Sequence, residues 1–419
     1  MRVLLVSANT EKVNMPTMPV GLAMVSAATR RAGHEVRFLD LMFEEDPAAV
    51  VRRAVTELQP EVIGISVRNI DDQELQGPRF LLEQVRPVVR QCRELGEATI
   101  VLGGAGYSIF PDEALAYLGA DLGLRGDGEA AFLALLERLE AGTDPAGLPG
   151  LHLRGRGGTA AGLPEELDVL PLPEDELWRG VDPARQDLWM PLQSRRGCPN
   201  DCAYCSTALI QGRTIRCRSP RQVVDAIEPM VRAGFRRYYF VDNSFNIPLA
   251  HGLELCREIS SRDLSIEWRA ILYPHRVGEE LVREMARAGC VEVALGFESG
   301  ADPVLRGLNK RFTVEEVRSV AACLRKHGIR RMGFLMLGGP GETRETVEQS
   351  LAFAASLDLD CLRVTVGIRL YPDTPLARRA VDEGLIDGDD PLLHPRFYLA
   401  PGLERGGWIF ERVKPGVRR

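Results

Sequence analysis

Residues 190–206 read MPLQSRRGCPNDCAYCS, and the fold of the second half of the chain follows from this stretch. MPLQS starts a strand, and Gly197 ends it. A loop then carries Cys198, Cys202 and Cys205 within eight residues, in the spacing CxxxCxxC. Further strand patterns recur at 237–242, 266–272, 291–299, 331–337 and 361–370, with helical patterns at 219–233, 250–261, 277–289, 314–327 and 342–356. Six successive βα units predict a parallel (β/α)6 partial barrel, whose reactive groups belong at the C-terminal ends of the strands. The cysteine loop follows the first of those strands.

The region upstream also alternates. RVLLVSAN (2–9) is a near-continuous apolar run, as suits a strand buried on both faces. EVRFLD (35–40), EVIGISV (61–67), ATIVLGG (98–104) and DLGLRG (121–126) follow, separated by helical segments. This predicts an α/β domain with a doubly wound, Rossmann-like parallel sheet. The expected organisation is a first domain at 1–141, a Gly- and Pro-rich linker at 142–188 with a hairpin near 151–162, a barrel at 189–390, and a tail at 391–419 over the barrel mouth.

The chain has 419 residues, 45% hydrophobic and 26% charged, with a formal charge of -7. That length holds two or three domains, and the acidic balance disfavours a nucleic-acid surface. No apolar run approaches the roughly 18 residues of a membrane span. The opening MRVLLVSANTEK has too short an apolar core for a signal peptide. Nine cysteines in a chain this long do not make a disulfide scaffold, so a reducing cytoplasm is the expected compartment. Cys256, Cys290 and Cys323 read as ordinary buried residues.

Short-spaced thiolates wrap a loop around a compact metal centre. Zinc would call for a fourth ligand, and neither a second CxxC nor a His pair is offered. Three thiolates on four irons leave one iron open. The segment RRGCPNDCAYCS resembles the signature of the radical S-adenosylmethionine (SAM) superfamily. The resemblance implies a [4Fe-4S] cluster on Cys198, Cys202 and Cys205, with SAM on the open iron and Tyr204 against the adenine. It further implies that Asp242, Asn243 and Asn246 contact the SAM amino group, that Arg269 pairs with its carboxylate, and that Glu298 and Ser299 meet the ribose. In GFLMLGGPGET (333–343), Gly338 and Gly339 would pass close to the adenine. Tyr273, His275 and Tyr371, just past strand ends, are candidates to face substrate.

The loops after the N-terminal strands carry Ser7, then Ser66, Arg68 and Asn69, then Gly103, Gly104 and Tyr107, then Gly126 and Glu129. Together with PVGLAMVSAATRRAGHEVRFLD (19–40), this succession is similar to the cobalamin (B12)-binding domain that precedes many radical SAM barrels. The named residues are then expected around the corrin, with Arg68 beneath cobalt. The DxHxxG motif that supplies a histidine ligand elsewhere is absent, and His34 reads as a turn residue. No GxGxxG follows the first strand, which argues against a nicotinamide or flavin site.

The two resemblances together imply a cobalamin-dependent radical SAM enzyme. The expected reaction is methylation of an unactivated carbon, or of phosphorus, in a small metabolite, through a 5′-deoxyadenosyl radical and methylcobalamin. The alternative is a B12 radical SAM oxidoreductase, cyclase or rearrangement enzyme that transfers no methyl group. A corrinoid sensor fits poorly with an intact cysteine triplet, and a tRNA methylthiotransferase poorly with one cysteine, Cys92, upstream of the barrel. The expected partners are a small-molecule substrate and a flavodoxin or ferredoxin, with no nucleic acid and no membrane.

Overall fold

A computed structural model describes residues 1–12, 15–403 and 407–413. Part of the first expected loop and part of the tail lie outside these residues. The chain folds as two compact units, one of Met1–Asp72, Arg79–Pro191 and Ser206–Arg218, the other of Gln73–Pro78, Leu192–Cys205 and Ser219–Arg419.

The first unit is built on a sheet ordered β2-β1-β3-β4-β5-β6-β7. Its strands are β1 (Arg2–Ser7), β2 (Glu35–Asp40), β3 (Val62–Ser66), β4 (Thr99–Gly103), β5 (Leu122–Leu124), β6 (Leu151–Leu153) and β7 (Gly157–Gly158). The first five pair in parallel, as the doubly wound reading requires. Val3, Leu4, Leu5 and Val6 are each 1% exposed or less, because helices cover both faces of β1. Those helices are α1 (Val20–Arg31), α2 (Pro47–Leu58), α3 (Leu82–Leu95), short α4 (Ala105–Ile109), α5 (Pro111–Leu118) and α6 (Gly128–Glu140). Ser7, Ser66 and Gly103 lie in register, which brings three strand-end loops to one rim.

The expected linker is structured. β6 and β7 extend the sheet as an antiparallel hairpin, so residues 142–188 fold with the first unit. Its glycines mark close approach: a Cβ on Gly150 would lie 2.6 Å from the Arg125 carbonyl, and one on Gly158 would strike the His152 ring. The His152 Nδ1 in turn bonds Asp112 at 2.8 Å.

The second unit contains six strands: β8 (Met190–Leu192), β9 (Arg237–Phe240), β10 (Glu267–Leu272), β11 (Cys290–Glu298), β12 (Arg330–Leu337) and β13 (Cys361–Val366). They form one open sheet in chain order, parallel from β9 to β13. This is the expected partial barrel. Gly367, at φ 78, ends the sixth strand earlier than the sequence pattern suggests, and Ile368–Arg369 instead pairs with Phe397–Tyr398 of the tail. After short α7 (Thr207–Gln211), which belongs to the first unit, come the outer helices α8 (Pro220–Arg232), α9 (Leu249–Ser261), α10 (Glu279–Arg287), α12 (Val314–Lys326) and α13 (Arg344–Ser356), of which α8, α12 and α13 start at side-chain caps. Ser219 caps α8, and Thr313 with Glu316 forms a capping box on α12.

Side chains along the barrel strands alternate sharply. Tyr238, Phe240, Trp268, Leu272, Leu295 and Phe297 are 0% exposed and face the helices; Phe297 stacks edge-on against Phe353 of α13. Their neighbours Tyr239, Arg269, Ile271, Gly296, Met332 and Phe334 face the other side and are half-exposed. The concave face of the barrel is therefore open, while its outer face is packed.

Candidate active site

Gly197, at φ 86 and five residues beyond the end of β8, turns the chain into the cysteine loop. The loop that follows is anchored by backbone bonds. Ala203 N–H donates to Leu308 (3.0 Å), Leu376 N–H donates to Ala203 (2.8 Å), and Cys205 N–H donates to Cys202 (3.1 Å). Asp201 adds an ion pair to Arg311 (3.0 Å) and accepts from Asn309 (3.1 Å). Cys198, Cys202 and Cys205 are half-exposed, and none forms a disulfide among the described residues.

Burial raises the Cys198 thiol and pushes Cys202 up to about 11, while Lys310 opposes the shift at both and Arg195 at Cys198. Two buried cations beside Cys198, one of them also beside Cys202, suit donors that must hold their charge as thiolates. No three His, Cys, Asp or Glu side chains among the described residues converge on a single ion. Three thiols on one short loop, with Lys310 and Arg195 near them, suit the three-thiolate ligation of an iron–sulfur cluster.

Lys310 is the main feature that sequence reading missed. It lies just beyond the short helix α11 (Asp302–Gly307), in a basic turn that matches no motif. Its side chain is 4% exposed. The ammonium donates to Tyr204 Oη (2.9 Å) and to Glu298 Oε1 (3.2 Å), and Tyr204 Oη donates to the same Glu298 oxygen (2.9 Å). Burial drives the Tyr204 hydroxyl well above its ordinary range. Glu298 occupies the left-handed region at φ 62, where the β11–β12 register slips between Gly296 and Glu298. A non-glycine residue held there costs on the order of 1–3 kcal/mol, and such strain concentrates at functional sites. The bulge turns the Glu298 carboxylate toward Tyr204 and Lys310.

Other expected SAM contacts are placed differently. Asp242 is 2% exposed, and its carboxylate accepts from Ser194 N–H (2.9 Å), Ser194 Oγ (2.5 Å) and Arg195 N–H (3.2 Å). Asn246 accepts from Tyr273 N–H (3.0 Å) and donates to Tyr273 O (2.8 Å). Both tie neighbouring strand ends together, whereas Asn243 remains half-exposed. Ser299 is fully buried against Ser350 Oγ (3.1 Å). Arg269 sits in the middle of β10, 4.8 Å over the Tyr239 ring and 3.5 Å from Glu292. Gly338 and Gly339 both donate their N–H groups to Glu342, which fixes the turn after β12. Tyr273 Oη accepts from Arg311 N–H (2.9 Å), His275 pairs with Glu316 (3.0 Å), and Arg369 lies 5.1 Å over the Tyr371 ring.

In the first unit, the rim of the sheet offers a backbone-lined cradle. Gly104, at φ 100, has no room for a side chain: a Cβ would lie 2.6 Å from the Val67 carbonyl. A Cβ on Gly106 would lie 2.9 Å from the Arg68 carbonyl. Ala8, Asn9, Ser66, Arg68, Asn69 and Gln84 line a cleft there, and the buried Asn9 Nδ2 finds no acceptor. Arg68 is exposed and reaches Asn69 Oδ1 (3.4 Å). An orphaned amide and a glycine-lined backbone fit a polar, amide-bearing cofactor such as cobalamin.

Three expected corrin contacts belong to the core instead. Ser7 is 3% exposed and hydrogen-bonds Asp40, whose carboxyl burial raises to about 6. Tyr107 is wholly buried, with its ring against Gly123, and Glu129 is 2% exposed. Gly126, at φ 89, packs against Ala161.

Comparison with known proteins identifies both domains. Residues 192–354 match the Radical SAM superfamily, and residues 6–136 match the B12 binding domain. An uncharacterised methyltransferase of Pyrococcus horikoshii is 25% identical over 92% of this chain and 84% of its own. The tryptophan 2-C-methyltransferase of Streptomyces laurentii is 24% identical, over 90% of this chain and 74% of its own. Among solved structures, the radical SAM methyltransferase TsrM of Kitasatospora setae, with cobalamin and a [4Fe-4S] cluster bound, superposes with a TM-score of 0.86. It is 25% identical, and the match covers 99% of this chain and 91% of TsrM.

Proposed function

Because the chain belongs to the cobalamin-dependent radical SAM enzymes, with both domains matched in one polypeptide, we propose that it methylates an unactivated carbon or a phosphorus of a small metabolite. When bound, the cluster with SAM supplies one-electron chemistry and cobalamin carries the methyl group. The protein's part is holding and shielding. Cys198, Cys202 and Cys205 would hold the cluster, to which SAM would bind. Lys310 fixes Glu298 and Tyr204 in place, and these two side chains would bind the ribose and adenine of SAM. The cradle after β1, β3 and β4 would hold the corrin, and Arg68, exposed beside it, would offer a cation that cannot ligate a metal well. The open concave face of the barrel takes the substrate, and a flavodoxin- or ferredoxin-type protein supplies the electron.

The observation that carries this reading is the single loop of three half-exposed thiols with Lys310 and Arg195 beside it. Relatives that transfer methyl groups favour methylation over ring formation. Turnover with methyl-deuterated SAM decides between them. Product heavier by the labelled methyl group supports methylation; deoxyadenosine released without labelled product rejects it in favour of a cyclising or rearranging enzyme.

A further inference from the structure

The barrel strands place their concave-side residues in level rungs. The lowest joins Tyr239, Arg269, Glu292 and Arg330 by strand register. It is charged but partly satisfied, since Glu292 lies 3.5 Å from both Arg269 and Arg330. The next rung, Ile271, Ala294, Met332 and Cys361, is apolar apart from one thiol. The third joins Gly296, Phe334 and Arg363, and Glu298 lies two residues beyond Gly296 on the same strand.

Arg363 is the anomaly. Its side of β13 is fixed by its neighbour: a Cβ on Gly333 would touch Phe297, which packs on α13, and Leu362, so Leu362 faces the helices and Arg363 faces the concave side. It is half-exposed on a rung that otherwise carries Phe334 and a glycine. Among the described residues no hydrogen bond or ion pair holds it. On the charged rung two layers below, Arg269 and Arg330 both pair with Glu292, and above it Lys310 pairs with Glu298, so none of these carboxylates is paired with Arg363 among the described residues. A guanidinium beside an aromatic ring above an apolar layer is a receptor for an oxyanion with an apolar body. Gly296 adds no side chain to the rung that Arg363 shares with Phe334.

We infer that Arg363 anchors an anionic group of the substrate, a carboxylate or phosphonate oxyanion, while the substrate's apolar body lies over Phe334, Met332 and Ile271. The inference rests on the reading that this barrel face is the substrate site of a radical SAM enzyme. It narrows the substrate to small acids and places the oxyanion one rung below Glu298.

Calorimetric titration of the anaerobically loaded enzyme tests it with 3-phenylpropionate, 2-phenylethylphosphonate and the neutral 3-phenylpropanol as probes. At least one acid should bind roughly tenfold to a hundredfold more tightly than the alcohol, and the tighter acid identifies the oxyanion. Arg363→Gln should abolish that preference and Arg363→Lys should keep part of it, both with wild-type cofactor absorption. Equal binding of acids and alcohol by loaded wild-type enzyme, or an unchanged preference in Arg363→Gln, overturns the inference and leaves the family reading standing. A wild-type chain that takes up neither cofactor overturns both.

Discussion

Lys310 shows how much one side chain decides. Removing its charge leaves the Glu298 carboxylate and the Tyr204 hydroxyl facing each other in a buried site. Lys310→Met is expected to cost about 3–5 kcal/mol, the range for breaking a buried pair from one side, measured as a lower urea midpoint at unchanged slope. Glu342 gives a second residue-scale prediction. Burial raises its carboxyl from 4.5 to about 7, against the two glycine N–H groups that favour the charged form. The folded protein therefore holds a proton there that the unfolded chain has lost between those values, and stability falls as pH rises through this window. Glu342→Gln keeps an acceptor for Gly338 and Gly339 without that penalty. Its stability relative to wild type should rise from pH 4.5 to pH 7 by a few kcal/mol, about 1.4 kcal/mol per pH unit. Equal pH profiles for the two proteins would refute it.

At the scale of elements, the strands were legible because alternation and apolar runs are direct images of burial. β1 and the six barrel strands appear where the pattern puts them, and the cysteine loop follows the first of those six. The hairpin expected near 151–162 is present as β6 and β7, but its pairing onto the edge of the first sheet was not legible, because a two-residue strand of glycines such as β7 has no periodicity to read. Site residues were legible only where a motif fixed them. The thiols, Tyr204 and Glu298 come together, whereas Asp242, Asn246 and Ser299 sit at the right strand ends but spend their polar atoms on neighbouring backbone or on Ser350. Strand-end position is visible in sequence; the direction of a carboxylate is not. The turn after β4 carries its own prediction. Gly104→Ala forces a Cβ against the Val67 carbonyl at a positive φ. It should destabilise the protein by roughly 1–3 kcal/mol and lower the fraction of protein that retains cobalamin after gel filtration, while iron content stays unchanged.

For the whole molecule, the chain does not divide at one boundary. Residues 206–218, immediately after the third cysteine, fold with the first unit, and residues 73–78 fold with the second. The segment 206–218 is held by a buried ion pair between Arg216 and Asp127, whose side chains are 4% and 6% exposed, and by Arg216 donating to Gln211 O (2.8 Å). A fragment ending at residue 188 would leave Asp127 without its cation, and is expected to unfold at distinctly lower urea than the same unit in the full chain. The sequence offered no sign of this interleaving, because an ion pair spanning 89 residues leaves no local pattern.

The most direct measurement is anaerobic reconstitution of the full chain with iron, sulfide and hydroxocobalamin, followed by metal analysis and electron paramagnetic resonance of the reduced protein with and without SAM. About four irons and one corrin per chain are expected, with a cluster signal that changes when SAM is added. Cys198→Ala, Cys202→Ala and Cys205→Ala should each abolish that signal while corrin remains bound. Zinc or no metal in the cysteine loop, or a cluster signal indifferent to SAM, would contradict the assignment of this loop as the reactive centre.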